Sequence, residues 1–263
     1  MRILLTNDDG YDAPGLRALW RAVGFLPDVE IDVVAPECVQ SGKGHSISRT
    51  IRCRRAAVEP IGELVAIDGT PADCVRAALA LPGRSRPQWI IAGINRGSNL
   101  GVDVYYSGTV AAAREAAMHG IPALAISQLV KADLPDDWAM SSRLAVAIIA
   151  ALLQPDKPAP AGADGAIHRM VKELCAKHRP APDGPAPCWN VNLPKPADGR
   201  PPEAVRMVPV STDPLPAEYA HRLDGNGLDI LEDAGSYHQR PHRPGTDIAE
   251  AFGGTITISN LMI

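Results

Sequence analysis

The sequence predicts an α/β protein with a Rossmann-like, three-layer core and a mainly parallel sheet. Two observations predict this class. Short apolar runs alternate with helical segments over about residues 1–150, and polar, glycine-containing loops follow three of these runs. Strands separated by such helices pair in parallel through right-handed crossovers. We therefore expect helices on both faces of the sheet and a ligand site beyond the carboxyl ends of its strands.

The first elements follow from hydrophobic periodicity. Residues 2–6 form an apolar run, which predicts a buried strand. Apolar residues then recur at the helical spacing over 16–23, and a second apolar run at 30–35 stops at Pro36. Residues 51–55 and 64–67 predict an extra pair of strands. These patterns give a strand, a helix and three further strands.

The next elements show capping and composition signals. Thr70-Pro71-Ala72-Asp73 predicts a helix start, because Thr caps, Pro suits the first helical position and the acid completes a capping box. The remaining elements of this half are a strand at 89–94, an alanine-rich helix at 109–119, a strand at 121–127 and a helix at 138–153.

The second half has a different composition. Eleven of the 25 prolines fall between Pro155 and Pro202, which predicts loops at 156–165 and 179–187. Strands are predicted at 188–193, 205–210 and 255–259, and a short helix at 247–252. Residues 213–245 show no clear period and predict an extended arm or hairpin that needs a partner to bury it. We expect one domain, comprising a core (1–150), a proline-rich extension with strands (151–212) and an arm with the last helix and strand (213–263).

Composition limits the classes of function. The 263-residue chain has a net charge of −4, so it lacks the basic surface expected of a nucleic-acid binder. It has no apolar run of about 18 residues, so no membrane span is expected. The five cysteines are odd in number and form no C-x-x-C pair, which favours a reducing, cytoplasmic location.

Two adjacent acids, Asp8 and Asp9, directly follow the first strand. Neighbouring carboxylates repel each other unless a cation or strong donors neutralise them, which favours a metal site. A solvated Asp-Gly turn is the simpler alternative. Ser41 and Asn95 are candidate co-ligands from two later polar loops. These oxygen donors suit one Mg²⁺ or Mn²⁺ ion better than a metal that prefers thiolate.

Ser107-Gly108-Thr109 precedes the alanine-rich helix. Unpaired N–H groups at a helix N-terminus bind phosphate oxygens, and glycine lets the phosphate approach the backbone. Asn99 lies in the loop that leads into this helix, and Asn7 adjoins the acid pair, so both join the predicted phosphate site. An ordinary Ser or Thr cap is the alternative. Tyr105 and Tyr106 directly precede Ser107, and they suit either stacking on a base or ordinary packing.

Five ordered motifs run from residue 1 to about 127. They are Thr6-Asn7-Asp8-Asp9-Gly10 with Ala13-Pro14-Gly15, Gln40-Ser41-Gly42 with His45-Ser46, Asp68-Gly69-Thr70-Pro71-Ala72-Asp73-Cys74-Val75, Gly93-Ile94-Asn95 with Gly97 and Asn99-Leu100-Gly101, and Tyr106-Ser107-Gly108-Thr109-Val110. Together they resemble the SurE family of survival-protein-E nucleotidases. The resemblance is weak from 128 to 245 and resumes at Gly245-Thr246-Asp247.

The resemblance implies a hydrolase of nucleoside 5′-monophosphates, in some members also of 3′-monophosphates or short polyphosphate. It implies a divalent metal on Asp8, Asp9, Ser41 and Asn95, and phosphate on Asn99 and residues 107–109. It also implies a homodimer or homotetramer that exchanges C-terminal elements between subunits. One of the two acids is expected to accept a proton from the attacking water or to attack directly.

One position departs from the family pattern. Arg96 follows Asn95 where the family usually has His, and arginine does not give up its proton at working pH. Arg96 suits either a phosphate clamp or a solvent-facing position. Because of this change, a nucleotide-sensing protein that binds without turnover remains the alternative. A haloacid-dehalogenase-type phosphatase fits less well, since its two acids are separated by one residue, and a receiver-like module would need an acid at Asn95.

Overall fold

The computed structural model describes residues 1–178, 184–195, 199–215, 218–235 and 237–261. The strands are β1 Arg2–Thr6, β2 Glu30–Pro36, β3 Arg52–Val58, β4 Gly62–Asp68, β5 Trp89–Arg96, β6 Ala123–Gln128, β7 Cys188–Leu193, β8 Val205–Met207, β9 Tyr219–Leu223, β10 Asp229–Asp233 and β11 Ile256–Asn260. The helices are α1 Pro14–Gly24, α2 Pro71–Ala80, α3 Asp103–Tyr106, α4 Gly108–Met118, α5 Trp138–Leu153, α6 Gly165–Lys177 and α7 Asp247–Phe252, with a 3₁₀ turn at Tyr237–Gln239.

Nine of these strands form one sheet in the order β3-β4-β2-β1-β5-β6-β7-β11-β8. Six of its eight strand pairs are parallel, and the antiparallel pairs are β3 with β4 and β7 with β11. The predicted α/β class with a mainly parallel sheet is therefore confirmed. The sheet continues beyond residue 150, because β7, β11 and β8 extend it from the edge of β6.

Two apolar clusters cover the two faces of the sheet and create the expected three layers. One cluster joins β1 and β5 to α1, α5 and α6, with Leu16, Leu19 and Ile148 among its buried side chains. The other joins the opposite face to α2 and α4, where Val75 and Val110 are buried. Burial of these aliphatic side chains drives the layers together.

The helix start predicted at Thr70 is confirmed in detail. The Thr70 hydroxyl accepts a hydrogen bond from Asp73 N at 3.2 Å, and the Asp73 carboxylate accepts one from Thr70 N at 3.0 Å. The pair of strands expected before this helix is also present, as the antiparallel hairpin of β3 and β4. These local signals needed no information from the rest of the fold.

Three segments differ from the predictions. The strand β6 begins at Ala123 rather than at 121, because the Ile121 N–H bonds to the end of α4 and Pro122 has no N–H. The strand β8 ends at Met207, two residues before Pro209. The helix α6 was not predicted, although Asp164 caps it with hydrogen bonds to two backbone N–H groups. Residues 179–183 of the predicted loop lie outside the described residues.

The predicted hairpin in the arm is present as β9 and β10, which pair antiparallel in a separate two-stranded sheet. Most of its side chains are exposed, including Tyr219, Leu223 and Leu231. A lone hairpin of this kind is marginally stable in water. Exchange of this arm between subunits remains a prediction. None of the helices within the described ranges is long and apolar enough to span a bilayer.

Candidate active site

The acid pair lies at the carboxyl edge of the sheet. Asp8 and Asp9 follow β1, and Asn95 lies near the end of β5, which pairs with β1 in parallel. Because neighbouring parallel strands end at the same edge, the two acids and Asn95 are brought together there. The backbone N–H of Arg96 donates to Asp9 Oδ2 at 3.3 Å, which links the two strand ends directly.

Asp8 is packed against the N-terminus of α4. The Thr109 hydroxyl donates a hydrogen bond to Asp8 Oδ1, and only 4% of Asp8 is exposed. A Cβ atom added to Gly108 would lie 2.9 Å from the Asp8 Cβ, too close for any side chain. Glycine at position 108 therefore allows the helix end to approach the acid, and its predicted contact with phosphate stays a prediction.

Both carboxyl groups resist ionisation in this environment. Burial and the nearby Asp9 charge raise the pKa of Asp8 to about 6, against the opposing effect of hydrogen bonds from Thr109. Burial also raises the pKa of Asp9, against the opposing effect of the Arg96 N–H and charge. One buried and one half-buried acid, both with raised pKa values, form a site that a cation would stabilise.

Two asparagines border the acid pair and leave their carbonyl ends available. The Asn95 amide donates to the Gly97 carbonyl at 2.5 Å, which commits its nitrogen and leaves Oδ1 for another partner. The Asn7 amide donates to the Gly10 carbonyl at 2.7 Å. Asn7 Oδ1 is buried and has no hydrogen-bond partner in the part of the chain that the structure describes. A buried orphan acceptor of this kind favours a ligand or an ordered water beside it.

Ser41 lies on an exposed turn beside the acid pair. Its neighbour Gln40 donates a backbone hydrogen bond to the Asp8 carbonyl at 2.7 Å, and Gly44 donates one to the Tyr106 carbonyl at 3.1 Å. These bonds hold the loop of residues 40–46 between the acid pair and α3. The structure thus places the Ser41 backbone next to the site.

Of the predicted phosphate residues, Ser107, Gly108 and Thr109 lie at the start of α4, and four of the five, namely Asn7, Asn99, Ser107 and Thr109, have structural partners. Ser107 Oγ accepts a hydrogen bond from Val110 N at 3.0 Å, so Ser107 is the cap of α4. A hydroxyl that accepts in this way can still donate its proton to a phosphate oxygen. The Asn99 side chain donates to Ser127 Oγ at 2.7 Å, so its amide nitrogen is turned toward β6.

A buried polar network fixes the loop that contains Asn99. Asn99 N donates to Asn192 Oδ1 at 2.8 Å, and the Asn99 carbonyl accepts from the side chains of Asn190 and Asn192. Neither β7 asparagine was predicted to matter. Their alternation with apolar residues in the segment 188–193 is the signal that could have indicated a polar row on one face of the strand.

Glu115 is a second residue that sequence reasoning missed. It lies on α4, is 4% exposed and accepts hydrogen bonds from His45 at 2.7 Å, Arg76 at 2.9 Å and His119 at 3.1 Å. His45 belongs to the loop of residues 40–46, so Glu115 ties that loop to the helix whose N-terminus meets Asp8. A single acid within an alanine-rich helix was the available signal.

Arg96 is exposed and directed to an acid outside the pair. Its Nε donates to Asp136 Oδ2 at 2.7 Å, and Lys195 lies 3.4 Å from the same carboxyl group. These two cations hold the pKa of Asp136 below its usual range. The arginine therefore has a local ion-pair partner outside the acid pair.

The donor set fits a hard divalent cation. Carboxylate, amide carbonyl and hydroxyl oxygens are available on Asp8, Asp9, Asn95 and Ser41, and such oxygens suit Mg²⁺ or Mn²⁺. Within the described ranges, no group of three or more His, Cys, Asp or Glu side chains is placed to hold a metal. Water and the neutral oxygen donors would therefore complete the coordination that two carboxylates begin.

Comparisons with known proteins agree with this architecture. Residues 3–213 match the family model described as Survival protein SurE. A protein of Nostoc sp. is 40% identical over 266 residues and matches over the full length of both chains. The 5′-nucleotidase SurE of Sorangium cellulosum is 36% identical, covering 99% of this chain and 89% of its own. The crystal structure of the SurE protein from Aquifex aeolicus has a TM-score of 0.71 at 26% identity, covering 99% of this chain and 93% of that one.

Proposed function

The chain belongs to the survival protein SurE family, and from that membership we propose that it hydrolyses nucleoside 5′-monophosphates to nucleoside and inorganic phosphate. The observation that supports this most is the acid pair, in which buried Asp8 packs against the N-terminus of α4 and half-buried Asp9 lies next to it. The site thus has a place for a cation next to a place for a phosphate. A relative of matching length is named 5′-nucleotidase SurE, and this name supports the proposal that the chain is a phosphoric monoester hydrolase.

The proposal includes one Mg²⁺ or Mn²⁺ ion per subunit. Asp8, Asp9, Asn95 and Ser41 would hold it. A divalent cation bound there would neutralise charge on the phosphate and lower the pKa of a water ligand. The unpartnered Asn7 Oδ1 and the raised pKa values of both acids support a site that is built for a positive charge.

The chain itself would bind and orient the phosphate. The N-terminus of α4 lies beside Asp8, and the unpaired N–H groups of a helix N-terminus favour phosphate oxygens. Gly108 keeps this end free of side-chain bulk. Ser107 adds a hydroxyl, and Thr109 belongs to the helix end while its own hydroxyl donates to Asp8. Asn7 adds an amide beside the acids, and Asn99 fixes the entering loop through its bond to Ser127. In-line transfer needs this positioning more than covalent chemistry.

One carboxylate would accept the proton of the attacking water. We favour Asp9 for this step, because Asp8 Oδ1 already accepts the Thr109 hydroxyl. Asp9 is only partly buried and is held in place by the Arg96 backbone N–H at 3.3 Å. Its raised pKa makes it a better proton acceptor at neutral pH than an ordinary aspartate.

The finer parts of the proposal concern substrates, assembly and location. Family resemblance extends the substrates to nucleoside 3′-monophosphates and short polyphosphate. The exposed hairpin of β9 and β10 supports a homodimer or homotetramer. All five cysteines are unpaired, in keeping with a cytoplasmic location.

The test is phosphate release from AMP and GMP with Mg²⁺, with Mn²⁺ and with EDTA. We expect release that needs metal and that is lost in Asp9→Asn. The same assay with 3′-AMP and tripolyphosphate defines the substrate range. Nucleotide binding without release from the wild-type protein would support the sensing alternative and contradict the proposal. In that case Arg96→His, which restores the usual family residue, becomes the next variant.

A further inference from the structure

Two aromatic side chains on α3 are exposed at the rim of the site. Tyr105 is 68% exposed and Tyr106 is 62% exposed, so neither packs in the core. Neither hydroxyl has a hydrogen-bond partner in the described part of the chain. Burial of an aromatic ring is favourable, and these two exposed rings do not gain that free energy within the chain. Their exposure directly before Ser107 therefore indicates a binding surface.

The two rings point in different directions. Arg114 Cζ lies 5.9 Å from the centre of the Tyr105 ring. Arg114 is six residues beyond Gly108, which is about 9 Å along the α4 axis from the helix start. The Tyr105 ring therefore lies beside the body of α4, away from the N-terminus that would hold the phosphate. Consecutive helical residues are about 100° apart, so Tyr106 projects elsewhere.

Tyr106 is the tyrosine closer to the predicted chemistry. It directly precedes Ser107, the cap of α4, and its carbonyl accepts a hydrogen bond from Gly44 in the loop of residues 40–46. That loop also contacts Asp8 through Gln40. The flanks of the loop present two more exposed apolar side chains, Val39 and Ile47. Exposed apolar side chains thus lie next to the proposed phosphate site at the N-terminus of α4.

We propose that Tyr106 is the stacking platform for the nucleobase of the substrate. This inference rests on the proposed function, because it names the part of the nucleotide that Tyr106 contacts. With the phosphate at the α4 N-terminus, the base at the other end of the nucleotide would contact the Tyr106 ring next to Ser107. Aromatic rings stack on every base, so this contact gives affinity without strong choice among bases. The enzyme should therefore accept AMP, GMP, CMP and UMP within a narrow range of kcat/KM.

The experiment compares nucleotides with a substrate that lacks a base. Steady-state kinetics are measured on AMP, GMP and ribose 5-phosphate for the wild type, Tyr106→Ala, Tyr106→Phe and Tyr105→Ala. We expect Tyr106→Ala to raise KM for AMP and GMP about ten-fold. Its KM for ribose 5-phosphate should stay within about two-fold, since no base is present. Tyr106→Phe keeps the ring and should behave like the wild type.

Tyr105→Ala is the matched control, because it removes a neighbouring exposed ring that lies beside Arg114. It should leave both kinds of substrate unchanged. Equal losses on AMP and ribose 5-phosphate in Tyr106→Ala would overturn the inference, as would unchanged AMP kinetics. A change of oligomeric mass in Tyr106→Ala, measured by sedimentation, would overturn it in favour of a subunit contact. A wild type without activity on any of the three substrates would instead refute the proposed function itself.

Discussion

The ionisation state of Asp8 bears directly on the proposed cation site. Its carboxyl group is almost fully buried, lies next to Asp9 and has a pKa raised to about 6. Without a cation, the folded protein therefore keeps this group protonated at pH values where the unfolded chain has already released the proton. The folded state binds more protons than the unfolded state, so stability must fall as pH rises through this window.

We predict a pH-dependent stability that metal removes. In EDTA, the free energy of unfolding should fall by about 1 kcal/mol between pH 5 and pH 7.5. At pH values well above the folded pKa of Asp8, its contribution should no longer change with pH. With saturating Mn²⁺ the fall should disappear, because the carboxylate gains a partner. Urea denaturation at both pH values measures the effect. The control is Asp8→Asn, and equal pH dependence in this variant and the wild type would contradict the assignment.

Arg96 stands where the family resemblance leads us to expect a histidine. Its Nε is bonded to Asp136 at 2.7 Å, and the side chain is exposed. An exposed ion pair contributes little to stability, so the contact is easily given up. We predict that Arg96→Ala keeps metal-dependent phosphate release within about ten-fold of the wild type, since only the Arg96 backbone N–H contacts Asp9. Loss of about a thousand-fold in kcat would show that the guanidinium takes part in the reaction.

At the scale of elements, α4 contacts two parts of the site, one at its N-terminus and one about two turns further along. Its N-terminus meets Asp8, and Glu115, further along, holds His45 at 2.7 Å. The loop that carries Ser41 is thereby attached to the same helix as the predicted phosphate site. Because Glu115 is buried with three donors around it, removal of its charge leaves those donors without a full partner.

We predict that Glu115→Gln weakens Mn²⁺ binding about ten-fold, because His45 and the loop of residues 40–46 lose their anchor. Isothermal titration measures the affinity, and the thermal midpoint measures the accompanying loss of stability. Arg76→Ala is the matched control, since Arg76 bonds to the same carboxylate but does not belong to the loop. It should lower stability with unchanged Mn²⁺ affinity. Equal losses of affinity in both variants would contradict the positioning role.

The elements were predictable from sequence wherever the signal is local. The capping box at Thr70, the helix 138–153 and the buried first strand follow from residues close together in the chain. The partners of Asn99 were not predictable, because Ser127 and Asn192 are distant in sequence and meet it only through the order of the strands. Glu115 was missed for the same reason, since its donors come from two other segments as well as from its own helix end.

At the scale of the whole molecule, the arm presents exposed apolar side chains that the described part of the chain leaves uncovered. Side chains alternate between the faces of a hairpin, so the register of β9 and β10 places Tyr219, Leu223 and Leu231 on one face. All three are exposed. The same face also carries the ion pair of His221 and Asp229, and the other face carries that of Arg222 and Glu232. We expect a second copy of the chain to contact the face with the three apolar side chains, as the family resemblance implies.

We predict that Leu231→Asp dissociates the expected oligomer, because it replaces an exposed apolar side chain by a charge on the face that carries Tyr219 and Leu223. Sedimentation velocity should show a dimer or tetramer for the wild type and a lighter species for the variant. Glu232→Ala, on the opposite face, is the control and should keep the wild-type mass. A wild-type monomer, or the same mass for the wild type and Leu231→Asp, would contradict the role of this face.

The most direct test of the central claim is to titrate Mn²⁺ into the wild type and Asp8→Asn while following phosphate release from AMP. The claim is that the acid pair holds the metal used for hydrolysis. We predict metal-dependent turnover in the wild type, and in Asp8→Asn a loss of about a thousand-fold in kcat/KM together with lost Mn²⁺ binding. A folded Asp8→Asn protein that binds Mn²⁺ and releases phosphate like the wild type would contradict the account.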